Sequence, residues 1–454
     1  MAEQRNESLI DLVAFANDVA NEPSGTLKRT LQAIRIHLGM QVAFISEFTS
    51  GQIVLREVDA PGLEARIKVG STYCLDDVYC GHILAGRLPE LIPDTSLEPF
   101  AMALPITAAA HVGSHISVPI RLPDGRAYGM FCCAGFQANR SLNARDLQTL
   151  RAFADLAAFE INRELEVVEA REEKFARITR VIDSSQFSMV YQPIWDMRNR
   201  EAIGFECLTR FSGAPVRPPN EWFNEAAEVG LGKPLELAAI RKGLGALASL
   251  PAPLHLAINA SVETVLSDEF PSVLERLPLE RIVLEITEHA EVEDYERLLG
   301  VLQQLRQCGM KLAVDDAGAG YSSLRHILNL RPDFIKLDMD LIRHIDLDPA
   351  RRALTSALIA FARDTDSCII AEGVETASEF ATLRTLGVER AQGYFLGHPM
   401  PLERALQSIE PAEHAISLRL TRACRHNQSA MRPNSNRLPR PSDRGNRHQG
   451  LSAG

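Results

Sequence analysis

From Ser188 onward the chain repeats one unit, a short apolar run followed by an amphipathic helical stretch. The runs lie at residues 189–194, 203–208, 255–259, 281–286, 311–314, 334–337, 368–371 and 390–392. Strand-length runs separated by helix-length segments favour an α/β fold, and eight of them suggest a TIM-type (β/α)8 barrel. In that architecture the catalytic groups stand at the carboxyl ends of the strands. Glu206, Asn259, Glu285, Asp315 with Asp316, Lys336, Glu372 and Gln392 fall within or directly behind seven consecutive runs, toward the same end of each. Gathered in one barrel mouth, five carboxylates, one lysine and two amides need compensation. Hard oxygen ligands select Mg2+ or Mn2+, and an aspartate bridging two ions is the recurring device of two-metal phosphodiester chemistry.

The densest part of this pattern is residues 310–327, MKLAVDDAGAGYSSLRHI. An apolar run delivers the adjacent Asp315 and Asp316 to a strand edge, and Gly318 and Gly320 supply a turn ahead of a helix. Adjacent acids repel each other and are costly to bury, so a divalent cation between them is the usual solution. A lone pair of this kind would read as an aspartate-capped turn; the acids on the neighbouring runs shift the reading toward metal.

The segment ahead of the barrel has a different grammar, that of an α+β module. Residues 8–20 and 27–38 are helical in pattern; runs 41–48 and 52–58 flank Thr49-Ser50-Gly51, and runs 115–121 and 127–135 flank Pro123-Asp124-Gly125, as two hairpins. Helix-like sequence follows from Asn143, and Ile161, Leu165, Val168, Phe175 and Ile182 carry it on at near-heptad spacing. Such a helix would couple the two domains and pair with its copy in a homodimer, or would simply connect. Cys74, Cys80 and His82 lack metal-type spacing and read as small thiols beside a satisfied histidine.

Composition sets outer limits. A chain of 454 residues, 46% hydrophobic and 24% charged, has the make-up of a soluble globular protein of two or three domains. No signal-type apolar core opens it and no run of about 18 apolar residues occurs, so no transmembrane segment and a cytoplasmic location are expected. The net charge of -11 argues against a specific nucleic-acid partner. From Leu418 onward eight arginines face one acid, Asp443, and the segment 421–454 is expected to be disordered. That tail is either solvated or in contact with anionic lipid, nucleic acid or the acidic body of the protein.

The barrel residues resemble the EAL family of cyclic di-GMP phosphodiesterases over about 183–408. In order they read YQPIWD (191–196), Glu206-Cys207-Leu208, INAS (258–261), LEITE (284–288), VDDAGAGYSS (314–323), IKLD (335–338), AEGVE (371–375) and QGYFLGHP (392–399). The resemblance implies two ions, Mg2+ or Mn2+: Glu206, Asn259, Glu285 and Asp315 on one, Asp315 and Asp316 with Glu372 on the other. It implies that Lys336 positions the attacking water or steadies the charge developing on the phosphorane, that Glu372 acts as base or as metal partner, and that cyclic di-GMP is opened to linear pGpG. Arg210 would bind a phosphate; Gln192, Leu208, Asp338 and Gln392 would contact the dinucleotide; Glu288 would hold the loop after Asp316. Cys207 stands where the family has alanine, on the strand face opposite Glu206. Ala317 and Ala319 replace larger or hydroxyl-bearing loop residues. A non-catalytic receptor for the same dinucleotide, and a phosphodiesterase for another cyclic nucleotide, are the alternatives.

Tyr79-Cys80-Gly81, IPDT (92–95) and the stretch SVPI to GMFC (117–132) resemble the GAF family over 22–165, whose members bind small ligands, chromophores or nothing. The expected organisation is an amino-terminal helix (1–21), a GAF-like sensor (22–165), a helical linker (166–182), an EAL barrel (183–408) and a basic tail (409–454).

Overall fold

The computed structural model describes residues 25–286, 294–317 and 321–409, with backbone alone at 316 and 321–324. The expectations for residues 8–20, for the tail and for Glu288, Gly318, Ala319 and Gly320 therefore lie outside the described residues. The chain forms two compact units, Met1–Glu172 and Glu173–Gly454.

The first unit is built on an antiparallel sheet of six strands: β1 (Val42–Thr49), β2 (Gln52–Asp59), β3 (Thr72–Cys74), β4 (Leu91–Ile92), β5 (Ser114–Arg121) and β6 (Ala127–Gly135), in the order β3-β2-β1-β6-β5-β4. Ser50 and Gly51, both at positive φ, make the tight turn from β1 to β2. The period of two sorts side chains into two cores. Ala43, Ile45, Ile116, Val118, Ile120 and Phe131 pack with Leu31 and Ile34 of the helix Thr26–Leu38 and with Leu150, Ala157 and Ile161 of the helix Ala144–Asp183. Ile53, Leu55, Met130 and Cys132, on the opposite face, pack under the segment that carries Val78, Tyr79, Leu104 and Val112.

The helix Ala144–Asp183 runs past the expected linker into the second unit. Its last turns differ from a plain connector, because Ile178 and Val181 are buried with Phe187, Trp222 and Ala226. Val168 and Phe175, on the near-heptad seam, are exposed.

Eight strands close the barrel of the second unit: β7 (Phe187–Asp196), β8 (Glu201–Phe211), β9 (His255–Asn259), β10 (Ile282–Ile286), β11 (Lys311–Ala317), β12 (Phe334–Leu337), β13 (Cys368–Ala371) and β14 (Arg390–Ala391), each beside the next and β14 beside β7. Strands β8 to β14 run parallel, while β7 is antiparallel to both of its neighbours. The cause is the tight turn at residues 197–200: a parallel return needs a crossover of about a dozen residues, and a short turn reverses the chain.

Alternation then places the site. Leu256, Ile258, Leu284, Leu312, Val314, Ile335 and Leu337 pack outward into the large core shared with the helices. Ala257, Val283, Ala313, Phe334 and Ile370 form a separate inner cluster. One step of two residues toward the carboxyl end from each inner residue stands Asn259, Glu285, Asp315, Lys336 or Glu372. The interior is thus an apolar plug with a polar layer above it.

Candidate active site

Lys336 is the centre of that layer. Its Nζ lies 2.7 Å from Glu372 Oε1, 2.9 Å from Glu285 Oε2, 3.2 Å from Asp315 Oδ1 and 3.6 Å from Glu206 Oε1. The side chain is 1% exposed and that of Glu285 is 0% exposed. Burial alone would push the lysine toward neutrality, but Asp315, Glu206, Glu285 and Glu372 outweigh it and hold its pKa well above the ordinary value. One ammonium cannot serve four carboxylates equally. Burial drives Glu285 well above the usual range despite Lys336, and it drives Glu372 up to about 8, with Asp315 and Glu206 adding to the effect. Glu206 is also penalised by burial, yet Lys336 and hydrogen bonds from Gln392 and Asn259 bring it below its ordinary value.

The cluster is therefore short of positive charge, and its donor set suits a hard cation. Glu206, Glu285 and Asp315 each present an oxygen within 4.8 Å of the others. Glu285 Oε1 and Gln392 Oε1 are buried with no hydrogen-bond partner, the condition that a bound ion or its water would relieve. Asn259 Nδ2 donates to Glu206 Oε1 at 3.0 Å, so the amide of β9 stands against the carboxylate of β8.

Gln192 reaches the cluster from the reversed strand β7, directly opposite Glu206 in the register. Its Nε2 donates to the Gly397 carbonyl at 3.2 Å, and its Oε1 accepts from Gln392 Nε2 at 3.1 Å. Gln392 Nε2 donates also to Glu206 Oε2. The two glutamines are thus buried and engaged with each other and with the carboxylate they orient. Leu208 is half-buried two residues beyond Glu206, and Arg210 is exposed two further on, where its Nη1 donates to the Thr209 carbonyl at 2.8 Å. Asp338 directly follows β12, where its Oδ1 accepts from the Asp340 amide at 2.6 Å and caps the helix Met339–Ile342. Asp316 follows Asp315 on β11, its side chain outside the described atoms. Cys207 points away from the cluster and is buried against Gly243, where an added Cβ would stand 2.5 Å from its Sγ.

A supporting residue escaped sequence reasoning. Glu236 Oε2 accepts from the Ser261 amide at 2.9 Å and from its Oγ at 2.8 Å, fixing the turn that follows Asn259. Ser261 is recognisable as the cap of the helix Val262–Val265, but its acidic partner lies on the preceding helix, Gly232–Leu244, and no local pattern joins the two.

Comparison with known proteins places these features. Residues 176–399 match the EAL domain and residues 22–161 the GAF domain. A cyclic di-GMP phosphodiesterase of Pseudomonas aeruginosa is 32% identical over 225 residues, 47% of this chain and 38% of its own length. The cyclic di-GMP phosphodiesterase PdeR of Escherichia coli is 33% identical over 237 residues, 49% of this chain and 35% of its own. The chain thus spans well under half the length of these curated relatives. Among solved structures, the EAL enzyme Bd1971, determined with cAMP and cyclic di-GMP bound, superimposes with a TM-score of 0.52 over 82% of this chain and 93% of its own at 19% identity, a likeness of fold. No helix among the described residues is long and apolar enough to cross a membrane.

Proposed function

Given that this chain carries an EAL domain behind a GAF domain, we propose that it hydrolyses cyclic di-GMP to linear pGpG with two Mg2+ or Mn2+ ions, under control of the GAF domain. The observation that carries the reading is the convergence of Glu206, Glu285, Asp315 and Glu372 on one buried ammonium at the carboxyl edge of the barrel. Glu206, Asn259, Glu285 and Asp315 would hold one ion; Asp315, Asp316 and Glu372 would hold the second. What such ions supply when bound is a water acidified toward neutrality and a neutralised phosphodiester.

The remaining work falls to the chain. Lys336, kept charged by its neighbours, holds the carboxylates in register and offers an N–H to the oxygen that gains charge at the reacting phosphate. Glu372, 2.7 Å from Lys336 Nζ, would either complete the ligands of the second ion or take a proton from the attacking water. Gln392 and Gln192 fix the orientation of Glu206 and line the floor on which the dinucleotide rests, with Leu208 beside it. Arg210, exposed at the end of β8, has the planar fork that suits the second phosphate. Asp338 would contact the dinucleotide from the start of the helix it caps, and Glu288 would act through the loop after Asp316. On this reading residues 22–165 sense and residues 183–408 hydrolyse, and the exposed Val168 and Phe175 support pairing of the long helix with a second copy.

The test is hydrolysis of cyclic di-GMP by the full chain with Mg2+ or Mn2+, following pGpG by chromatography beside Asp315→Asn. Cation-dependent product that disappears in the variant is expected. Saturable binding of the dinucleotide without product under either cation would overturn the reading in favour of a non-catalytic receptor.

A further inference from the structure

We propose that the first unit binds a small, uncharged, mainly apolar molecule of about the size of one aromatic ring, in a cavity on the face of its sheet opposite the two packed helices. The cavity measures about 120 Å3. Phe44, Ile53 and Leu55 wall it from the sheet, and Ile106 and Val112 wall it from the segment that covers that face. Protein interiors are packed nearly as densely as organic crystals, with few voids larger than a water molecule, so a space of this size is a site rather than a packing error. An apolar cavity of ~150 Å3 stays dry and admits benzene.

Polarity narrows the ligand further. Among the described residues, no lysine, arginine, carboxylate, side-chain amide or aliphatic hydroxyl lines the cavity. Four polar-bearing side chains do, Tyr73, Tyr79, Cys80 and His115, and contacts within the protein engage the last three. The Tyr79 hydroxyl shares a hydrogen bond of 2.7 Å with Thr107 Oγ1, and His115 Nε2 lies 3.1 Å from Ser117 Oγ. The imidazole is stacked on Tyr79 with ring centroids 4.5 Å apart, and burial pushes its pKa down to about 3, so it presents a neutral ring. A phosphate or carboxylate placed here would be buried without a cation to balance its charge, which is prohibitive. A cyclic mononucleotide is thus excluded twice, by its charge and by its bulk. A monocyclic aromatic or a short branched hydrocarbon meets both conditions and gains contact with Phe44, Tyr79 and His115.

This inference deepens the sensory half of the function proposed above, but it is read as heat of binding and not as turnover, so a chain unable to hydrolyse the dinucleotide would still report on it. The experiment is titration calorimetry of the full chain with toluene and with indole, and with cyclic AMP as the charged comparator. Saturable one-site binding of at least one aromatic probe, with a negative heat-capacity change and no heat from cyclic AMP, is expected. Ala134→Leu, which fills the cavity from β6, should weaken the aromatic probe by about tenfold or more. Should that variant fail to fold, Ile106→Ala enlarges the space from the other wall and should strengthen binding of naphthalene, a bulkier probe, by about tenfold. Aromatic binding indifferent to both variants, cyclic AMP binding weakened by Ala134→Leu, or a folded wild-type chain that takes up neither aromatic probe would each overturn the proposal.

Discussion

The barrel mouth and the cavity of the first unit bury opposite materials. At the mouth, four carboxylates and one ammonium are packed with two buried acceptor atoms still unmet. In the first unit's cavity the walls are mainly hydrocarbon, and the hydroxyl of Tyr79 and the Nε2 of His115 have found partners inside the protein. The first region is electrostatically incomplete, the second sterically incomplete. Each deficit names what would complete it: positive charge in one case, apolar volume in the other. A test that restores one should leave the other untouched.

The largest expected effect separates the two by activity. Asp315→Asn keeps shape and hydrogen-bonding capacity but removes a charge from the group proposed to serve both ions. Its rate of cyclic di-GMP hydrolysis should fall by roughly a thousandfold or more, with little loss of fold. Steady-state rates beside a thermal melt check this, and a variant that retained a tenth of the activity would remove Asp315 from the proposed chemistry.

Next in size is Lys336→Met. Removing the ammonium leaves Glu206, Glu285, Asp315 and Glu372 without their shared partner, and breaking a buried ion pair from one side costs about 3–5 kcal/mol. The comparison sharpens when Mg2+ or Mn2+ is added to this variant. A cation at 100 times its dissociation constant restores about 2.7 kcal/mol, so the melting temperature should climb back in proportion to the logarithm of its concentration. Melting temperatures that did not respond to the cation in either wild type or variant would show that the carboxylates do not form the ion site.

The first unit supplies the matching control. Ile116→Val removes one methylene from a fully buried position in the apolar core between the sheet and its two packed helices. The loss should be about 1 kcal/mol, and divalent cations should not recover it. Recovery by cation would mean that metal stabilises the chain at places other than the barrel mouth, and the Lys336 experiment would lose its meaning.

The same contrast explains what could be read from the sequence. The barrel was legible because each strand carries its own evidence: an apolar residue inside, another outside, and a polar residue two steps beyond the inner one, as in Ala257, Ile258 and Asn259. Strands β9 to β13 repeat the statement, so Asn259, Glu285, Asp315, Lys336 and Glu372 could be brought to one mouth without coordinates. The reversal of β7 was also available, since the interval between the runs at 189–194 and 203–208 is too short for a parallel crossover, but alternation of strand and helix dominated the reading. The glutamine chain from Gln392 through Gln192 to Gly397 and the bond from Ser261 to Glu236 were not legible, because each joins side chains through space with no periodic signal. Asp338, the last residue of IKLD and expected at the substrate, also caps the following helix through the Asp340 amide, a bond the motif does not mark. The first unit's cavity was invisible for a simpler reason: an unfilled volume is a property of how Phe44, Ile106 and Val112 meet, and none of them is unusual in sequence.

The smallest expected effect tests the boundary between chemistry and packing on a single strand. Cys207 follows Glu206 on β8, yet alternation turns it outward, where it is buried between the strand and Gly243 and belongs to the core shared with Leu237 and Leu244. Cys207→Ala removes one sulfur atom and leaves a gap that Gly243 cannot fill, a loss of about 1 kcal/mol by the rules for small core deletions. Hydrolysis should stay within about twofold of wild type, since nothing in the inner layer loses a neighbour. Thermal melts and steady-state rates on the same preparation check both halves. A tenfold fall in rate with an unchanged melt would show that the position of Glu206 depends on the outer face of its strand, and the separation of apolar plug, polar layer and outer core drawn from alternation would have to be given up for β8.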